Sequence, residues 1–474
     1  MPKYSDLSSV REAIREGQIS CKELVTYYLA QIKKHQELNI YLEVFEEEAL
    51  QQADLLDKKF RDAPQELGKL WGMIVSIKDV ICYEGHKVSA GSKILEGFES
   101  LFSATAVERI LEEDVIIIGR TNCDEFAMGS SNENSAFGPV LNGVDTNKVP
   151  GGSSGGAAVS VQMDTCLAAL GTDTGGSVRQ PAALCGILGM KPSYGRISRH
   201  GLVAYGSSFD QVGIFAHKVD DIAILLEIMS GPDSFDSTLS QQAVPPYSQL
   251  LEYTQKPKIA FYQSALEHPA LDEEIRQKME QQLDMFRQAG YEVEGVDFKY
   301  LDYIVPAYYV LTTAEASSNL SRFDGIRFGH RDKEADSLEA TYTHSRTQGF
   351  GEEVKRRIML GTFVLSAGYY DAYYTKAQKV RRLIAEETRQ LLSDFDFLLM
   401  PSAPSPAWNL GEKTDDPVEM YLADIFTVQA NMAGIPGIAF PVGTTKEGLP
   451  VGLQLMSNTF EEVKLLGFVK SLGF

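Results

Sequence analysis

Serine becomes a nucleophile only when a neighbouring group takes its proton, and two segments of this 474-residue chain hold serines in surroundings suited to that chemistry. The first is Pro150-Gly151-Gly152-Ser153-Ser154-Gly155-Gly156. The second is Gly171-Thr172-Asp173-Thr174-Gly175-Gly176-Ser177-Val178-Arg179-Gln180-Pro181. Glycine permits positive φ and close backbone approach, so such loops can turn successive N–H groups toward one point. A serine at the end of that nest, as Ser177 is, lies beside donors able to hold a developing oxyanion. Three plainer readings compete. Glycine clusters commonly do no more than make tight turns. A phosphate-binding loop of the Walker type needs a lysine directly after its last glycine, and neither segment has one. Gly152–Gly156 formally fits the G-x-S-x-G elbow of α/β-hydrolases, but that elbow follows a strand directly, and Asn147-Lys148-Val149-Pro150 reads as loop.

The proton acceptor is open between histidine and lysine. Of seven histidines, His200 and His217 lie nearest the loops, and no carboxylate spacing singles out a partner for either. Lys78 ends the apolar run Met73-Ile74-Val75-Ser76-Ile77 and precedes Asp79, an unusual place for a solvated lysine. A lysine base must be neutral. Holding it so near neutral pH costs roughly 4 kcal/mol, which burial at an apolar strand end can supply.

These residues need a scaffold. Two amphipathic helices open the chain, the second behind a capping box of Ser20 and Glu23, with Leu24, Tyr28, Leu29 and Ile32 at helical spacing. The run ending at Lys78 reads as a strand buried on both faces. A helix from about Thr105 to Glu113, a strand over Val115–Ile118, a strand over Cys166–Leu170 and a short helix over Pro181–Cys185 follow. Alternating strand and helix predicts an α/β layered fold in one large domain. Between Gly119 and Gly213 lie about two-fifths of the glycines. From about Leu225 the chain reads as helical and charged, until two late strands near Ile438–Val442 and Val451–Met456 flank the turn Lys446-Glu447-Gly448.

Composition narrows the function. Apolar residues make up 44% and charged residues 23%, ordinary for a globular protein. No run of about 18 apolar residues predicts a membrane span, and the N-terminal residues do not read as a secretory signal. Five scattered cysteines without a CxxC pair argue against a zinc or redox site and suit a reducing cytoplasm. No metal constellation is visible. The formal net charge of −21 repels phosphate backbones, so if this chain serves a nucleic acid, another chain does most of the gripping.

Together, Ser76-Ile77-Lys78-Asp79, Gly151–Gly156 and Thr172–Pro181 resemble the amidase signature family, with the two key serines, 153 and 177, in the family's order. The resemblance implies one domain over residues 1–474, its signature core at about 70–215, with a central mixed sheet flanked by helices on both faces. It implies Ser177 as nucleophile, Ser153 as a bridging serine with a cis peptide, and Lys78 as base. Asp124–Pro139, Gly186–Leu202 and Glu353–Thr362 further resemble the glutamine-hydrolysing subunits of tRNA-dependent amidotransferases within that family. Carried over, Arg357 holds the α-carboxylate of free glutamine, and Asp424 and Tyr308 lie at its amino group. Gly129, Thr174, Gly175 and Gly176 complete the substrate site, and the N–H groups of residues 174–177 hold the oxyanion. By composition alone Arg357 reads as a solvated arginine, Asp424 as an ordinary helix carboxylate and Tyr308 as core packing. The implied function is release of ammonia from glutamine for converting Glu-tRNA(Gln) to Gln-tRNA(Gln) in a cytoplasmic heterotrimer. This chain would carry no cofactor. A B subunit would hold ATP, Mg²⁺ and the misacylated tRNA, and a C subunit would tie the two together. The alternatives are a stand-alone amidase of the same family acting on a small amide, and a non-catalytic scaffold that kept the fold.

Overall fold

The computed structural model describes residues 3–413 and 417–474. The apolar run that ends at Lys78 forms the second of eleven strands: β1 (Tyr41–Val44), β2 (Ile74–Lys78), β3 (Ile116–Thr121), β4 (Ala168–Asp173), β5 (Leu188–Lys191), β6 (Gln211–Ala216), β7 (Lys258–Tyr262), β8 (Glu292–Val296), β9 (Phe397–Pro401), β10 (Gly437–Thr444) and β11 (Pro450–Met456). They make one sheet in the order β1-β3-β2-β4-β6-β5-β10-β11-β9-β7-β8. β2 runs parallel to β3 and β4, and β7 runs parallel to β8 and β9, while β4 to β11 in the middle pair antiparallel. The sheet is therefore mixed, as expected, and helices pack along it.

Every residue of β2, β3, β4, β5, β6, β9 and β11 is buried. That explains the continuous apolar runs, since a strand covered on both faces has no reason to alternate. It also carries Lys78, as the last residue of β2, into the interior. β4 reaches Asp173, past the expected end at Leu170, so it delivers the chain directly into the second glycine loop. The helix after that loop begins at Arg179, two residues before Pro181, and ends at Cys185. Behind the first loop, Gly155–Gln162 is a helix buried from Gly155 to Val161, and apolar side chains all round suit such a position.

The capping box forms as read: Ser20 Oγ accepts from Glu23 N (3.1 Å) and the Glu23 carboxylate accepts from Ser20 N (2.8 Å). The late pair forms as the hairpin β10–β11, with Ile438 opposite Leu455. The reading of the chain beyond Leu225 as helical needs correction, because β7, β8 and β9 lie there. β9 is five apolar residues, too short for periodicity to separate strand from helix. β8 is an edge strand whose Glu292 and Glu294 face solvent, so it lacks a strand's apolar signature. No helix among the described residues is long and apolar enough to cross a membrane.

Candidate active site

Lys78 is completely buried, and its Nζ has three hydroxyl partners: Ser153 Oγ at 2.8 Å, Ser154 Oγ at 2.9 Å and Thr172 Oγ1 at 2.9 Å. Among the described residues no carboxylate forms an ion pair with it. Burial pushes its pKa down to about 8, against the more distant pull of Asp124, Asp210 and Asp173. An amine so placed loses its proton near neutral pH and can then accept one from a hydroxyl. Ser154 and Thr172 were not singled out by the sequence; their part is visible only once β2, β4 and the first loop meet.

The second loop is tied down by its own first residue. The Asp173 carboxylate, at the end of β4, accepts from the backbone N–H of Gly176 (3.0 Å) and Val178 (3.2 Å) and from the Arg179 guanidinium (3.1 Å at Nε and at one terminal nitrogen). Both side chains are fully buried. Burial alone raises the Asp173 pKa, but Arg179 outweighs it and holds the group below the usual carboxylate range. Arg179 also reaches the Thr427 carbonyl (2.8 Å), Gln454 (2.7 Å) and Asn431 (2.7 Å). A buried ion pair saturated with further hydrogen bonds fixes the turn.

At the turn itself no side chain fits. Gly176 sits at φ +131°, and a Cβ there would fall 2.1 Å from Thr427 Oγ1. A Cβ on Gly175 would fall 2.5 Å from the Tyr308 hydroxyl. The expected oxyanion set must be amended: the Gly176 N–H is already given to Asp173. The N–H groups of Gly175 and Ser177 donate to no protein acceptor among the described residues and remain for a ligand. Thr174 turns its hydroxyl to Asp210 (2.7 Å). Ser177 keeps 7% of its surface accessible, and its hydroxyl makes no hydrogen bond among the described residues.

The first loop has its own clamp. The Gly152–Ser153 peptide is cis. Gly152 N donates to Gln180 Oε1 (3.0 Å), and Gln180 Nε2 donates to the Ser130 carbonyl (2.9 Å), so the residue after Arg179 aligns both loops. Asp124 N donates to the Ser153 carbonyl (3.1 Å), while the Asp124 carboxylate accepts from Asn132 N (2.9 Å) and Asn134 N (3.0 Å). Burial nevertheless pushes the Asp124 pKa up to about 6. Gly129 packs on this carboxylate, where a Cβ would fall 2.4 Å from Asp124 Cγ.

Arg357 is not on the surface. It is 3% exposed, donates through Nε to Glu353 (2.8 Å) and through a terminal nitrogen to the Tyr205 hydroxyl (2.8 Å). The rings of Tyr205, Tyr309 and Tyr421 surround its guanidinium at 5.3–5.5 Å. Asp424 is also buried. Both its oxygens accept from Ser130 Oγ (3.0 Å), and Oδ2 accepts from the Tyr309 hydroxyl (3.1 Å). Burial raises the Asp424 pKa to about 7, against the pull of those two hydroxyls. Thus one tyrosine, Tyr309, has a cation over its ring and a carboxylate at its hydroxyl. Tyr308 lies beside it with its own hydroxyl at Gly175. The resemblance names Tyr308 and not Tyr309, and nothing in the pair Tyr308-Tyr309 distinguishes them by sequence.

The histidines stand apart. His200 stacks between Phe102 and Phe235 (5.0 and 4.0 Å), and His217 Nε2 meets the Val161 carbonyl (3.0 Å). Neither is hydrogen-bonded to Ser153 or Ser177.

Comparison with known proteins adds to this geometry. The amidase family model matches residues 23–466. The A subunit of the glutamyl-tRNA(Gln) amidotransferase of Prosthecochloris aestuarii is 50% identical, covering 99% of this chain and 98% of that protein. One of the same name from Chlorobium phaeobacteroides is 49% identical, covering 98% of both. Among solved structures, the protein of that name from Thermotoga maritima gives a TM-score of 0.76 at 39% identity, covering 94% of this chain and 90% of that one. The peptide amidase of Stenotrophomonas maltophilia gives 0.82 at 27% identity, covering 98% and 95%. This chain belongs to the amidase family.

Proposed function

We propose that this chain is the glutaminase subunit of a tRNA-dependent amidotransferase, using Ser177, Ser153 and Lys78. Ser177 Oγ attacks the side-chain amide carbon of glutamine while its proton passes to Ser153 and the Ser153 proton to neutral Lys78 Nζ. The amide oxygen becomes an oxyanion facing the N–H groups of Gly175 and Ser177. As the carbonyl re-forms, the C–N bond breaks and the departing nitrogen takes the proton back from Lys78 through Ser153, leaving as ammonia. Water then attacks the glutamyl ester, giving glutamate and restoring the Ser177 hydroxyl. Arg357 receives the α-carboxylate, and Asp424, with Tyr308 beside it, receives the ammonium, a planar fork and a carboxylate being the natural partners of those ends.

One observation carries this reading: Lys78 is wholly buried, 2.8 Å from Ser153, with three hydroxyl partners and, among the described residues, no carboxylate in an ion pair with it. The Ser153–Ser177 link is not a formed hydrogen bond, and the reading has it close when substrate enters, as catalytic contacts do in loaded sites. The net charge of −21 favours leaving the grip on tRNA to another chain, and the family resemblance supplies the rest of the reading, a cytoplasmic heterotrimer. In it a B subunit holds ATP, Mg²⁺ and the misacylated tRNA, a C subunit joins the two, and ammonia passes from Ser177 to the B subunit. Ser177→Ala is expected to lower glutaminase activity by at least about 10³-fold; near-normal turnover would sink the assignment.

A stand-alone amidase acting on a small amide is the second reading, favoured by the TM-score of 0.82 to the peptide amidase. A buried Arg357 and Asp424 suit a free amino acid better. Glutamine turnover unaffected by Arg357→Ala would decide for the second reading.

A further inference from the structure

Away from the serines the surface holds a cleft of about 420 Å³ between the helix Lys376–Asp394 and the end of the helix Val428–Ala433. Arg381, Arg382 and Arg389 all line it, in a chain whose net charge is −21. Helix capping accounts for part of this. Arg381 Nε donates to the Met432 carbonyl (3.3 Å) and Arg389 to the Ala433 carbonyl (3.0 Å), and cations suit the carbonyl end of a helix.

Capping does not use up the cluster. Arg381 also donates to Ser208 Oγ (2.7 Å) and to the Ser208 carbonyl (2.8 Å), but Arg389 makes no other hydrogen bond among the described residues and has more N–H donors than that one contact occupies. Glu386, the one carboxylate among the described residues lining the cleft, is already held by Arg382 Nε (2.9 Å). Thr459 also lines the cleft, with its Oγ1 shut off from solvent. Next to it Phe460 is kept at φ +64°, its N–H on Ser193 Oγ (2.8 Å) and its ring under the Arg196 guanidinium (4.5 Å). A bulky residue stays in that region only when its surroundings hold it there. With Tyr194 it gives the cleft an aromatic wall facing the arginines.

We propose that this cleft binds a small organic phosphate. Arg382 and Arg389 take the phosphate oxygens, and a flat organic body lies on Phe460 and Tyr194. The free donors of Arg382 and Arg389 suit a dianion, and the volume falls within the range of about 300–1,000 Å³ common for small-molecule sites. The site also reports to the nucleophile loop. Met432, Ala433 and Gly434 floor the cleft, and the same helix carries Asn431, which donates to Asp173 (2.9 Å). Just before it Thr427 donates to the Gly175 carbonyl (2.6 Å). Occupancy of the cleft therefore alters the rate of glutamine hydrolysis, a part of the inference that rests on the function proposed above.

Calorimetric titration of the purified chain with adenosine monophosphate, inorganic phosphate and uncharged adenosine tests the site without any glutamine assay. The expected result is saturable binding of the monophosphate with Kd below about 1 mM and none of adenosine. Binding should weaken at least about tenfold in Arg382→Ala, a largely exposed side chain, and in Arg389→Ala. No saturable binding of either anion, or equal affinity in both variants, overturns the site. Inorganic phosphate binding as tightly as the ester overturns the organic part of the ligand. In a second arm, saturating monophosphate should change glutaminase kcat at least about twofold in the native chain and not in Arg382→Ala. Unchanged kcat with intact binding overturns the coupling. Binding by a chain that hydrolyses no glutamine upholds the site and overturns the functional proposal instead.

Discussion

Lys78 and Asp424 are both buried ionisable groups, and burial pushes each toward its neutral form: the lysine down to about 8, the aspartic acid up to about 7. The proposed chemistry needs the neutral lysine but the charged aspartate, and both forms are favoured by raising the pH. Glutamine KM should therefore fall as pH rises through about 7, where Asp424 ionises, and kcat should rise toward about 8, where Lys78 loses its proton. Steady-state kinetics across that range, repeated on Asp424→Asn, checks the split. The variant should lose the KM limb and keep the kcat limb, and a KM limb that survives in it contradicts the role given to Asp424. A second residue-scale expectation concerns Glu353, which holds Arg357 at 2.8 Å and accepts from Tyr421 at 3.1 Å. Glu353→Gln weakens a charge-assisted bond and frees the fork to turn, so KM should rise about tenfold with kcat nearly unchanged. Equal loss in both would mean the carboxylate acts elsewhere. The motifs around Lys78, Ser153 and Ser177 stand out in the sequence because they are local, although the residues alone leave the base open between lysine and histidine. The burial of Arg357 does not stand out, because it depends on Tyr205, Tyr309 and Tyr421, which come from three distant segments.

At the scale of elements, the decisive unit is β4, the glycine turn and the helix that begins at Arg179. Its buried pair, Asp173 and Arg179, holds the turn from inside, with Asn431 and Gln454 completing the hydrogen bonds from about 250 residues away. No local pattern announces such a pair, so the sequence pointed to the glycines and serine and left their anchor unseen. Arg179→Ala leaves an uncompensated buried carboxylate, which costs about 3–5 kcal/mol. Thermal unfolding should show a lower Tm in that variant, whereas an unshifted Tm would mean the pair bears little of the fold. The same contrast runs through the sheet. Apolar runs that alternate with turns, such as β2 and β3, were readable, while β9, set among charged helices, is too short for periodicity to separate from helix, and β8, a solvent-facing edge strand, has no apolar signature.

Over the whole molecule, the sheet of eleven strands among the described residues positions Lys78 and the second glycine loop, while Tyr308 and Arg357 come from helices, and the chain carries a net charge of −21. The isolated chain is expected to bind tRNA no more tightly than non-specific contacts allow, with Kd weaker than about 1 µM at physiological salt. Sub-micromolar binding by fluorescence anisotropy would contradict the division of labour with a B subunit. All of this depends on a neutral amine next to Ser153. The most direct measurement is an NMR pH titration of chain labelled with ¹³C at the lysine ε-carbon, with Lys78→Ala used to assign the signal. The account predicts a midpoint near 8 for that resonance. A Lys78 signal that stays that of an ammonium to beyond about pH 10, like a lysine in water, would contradict it.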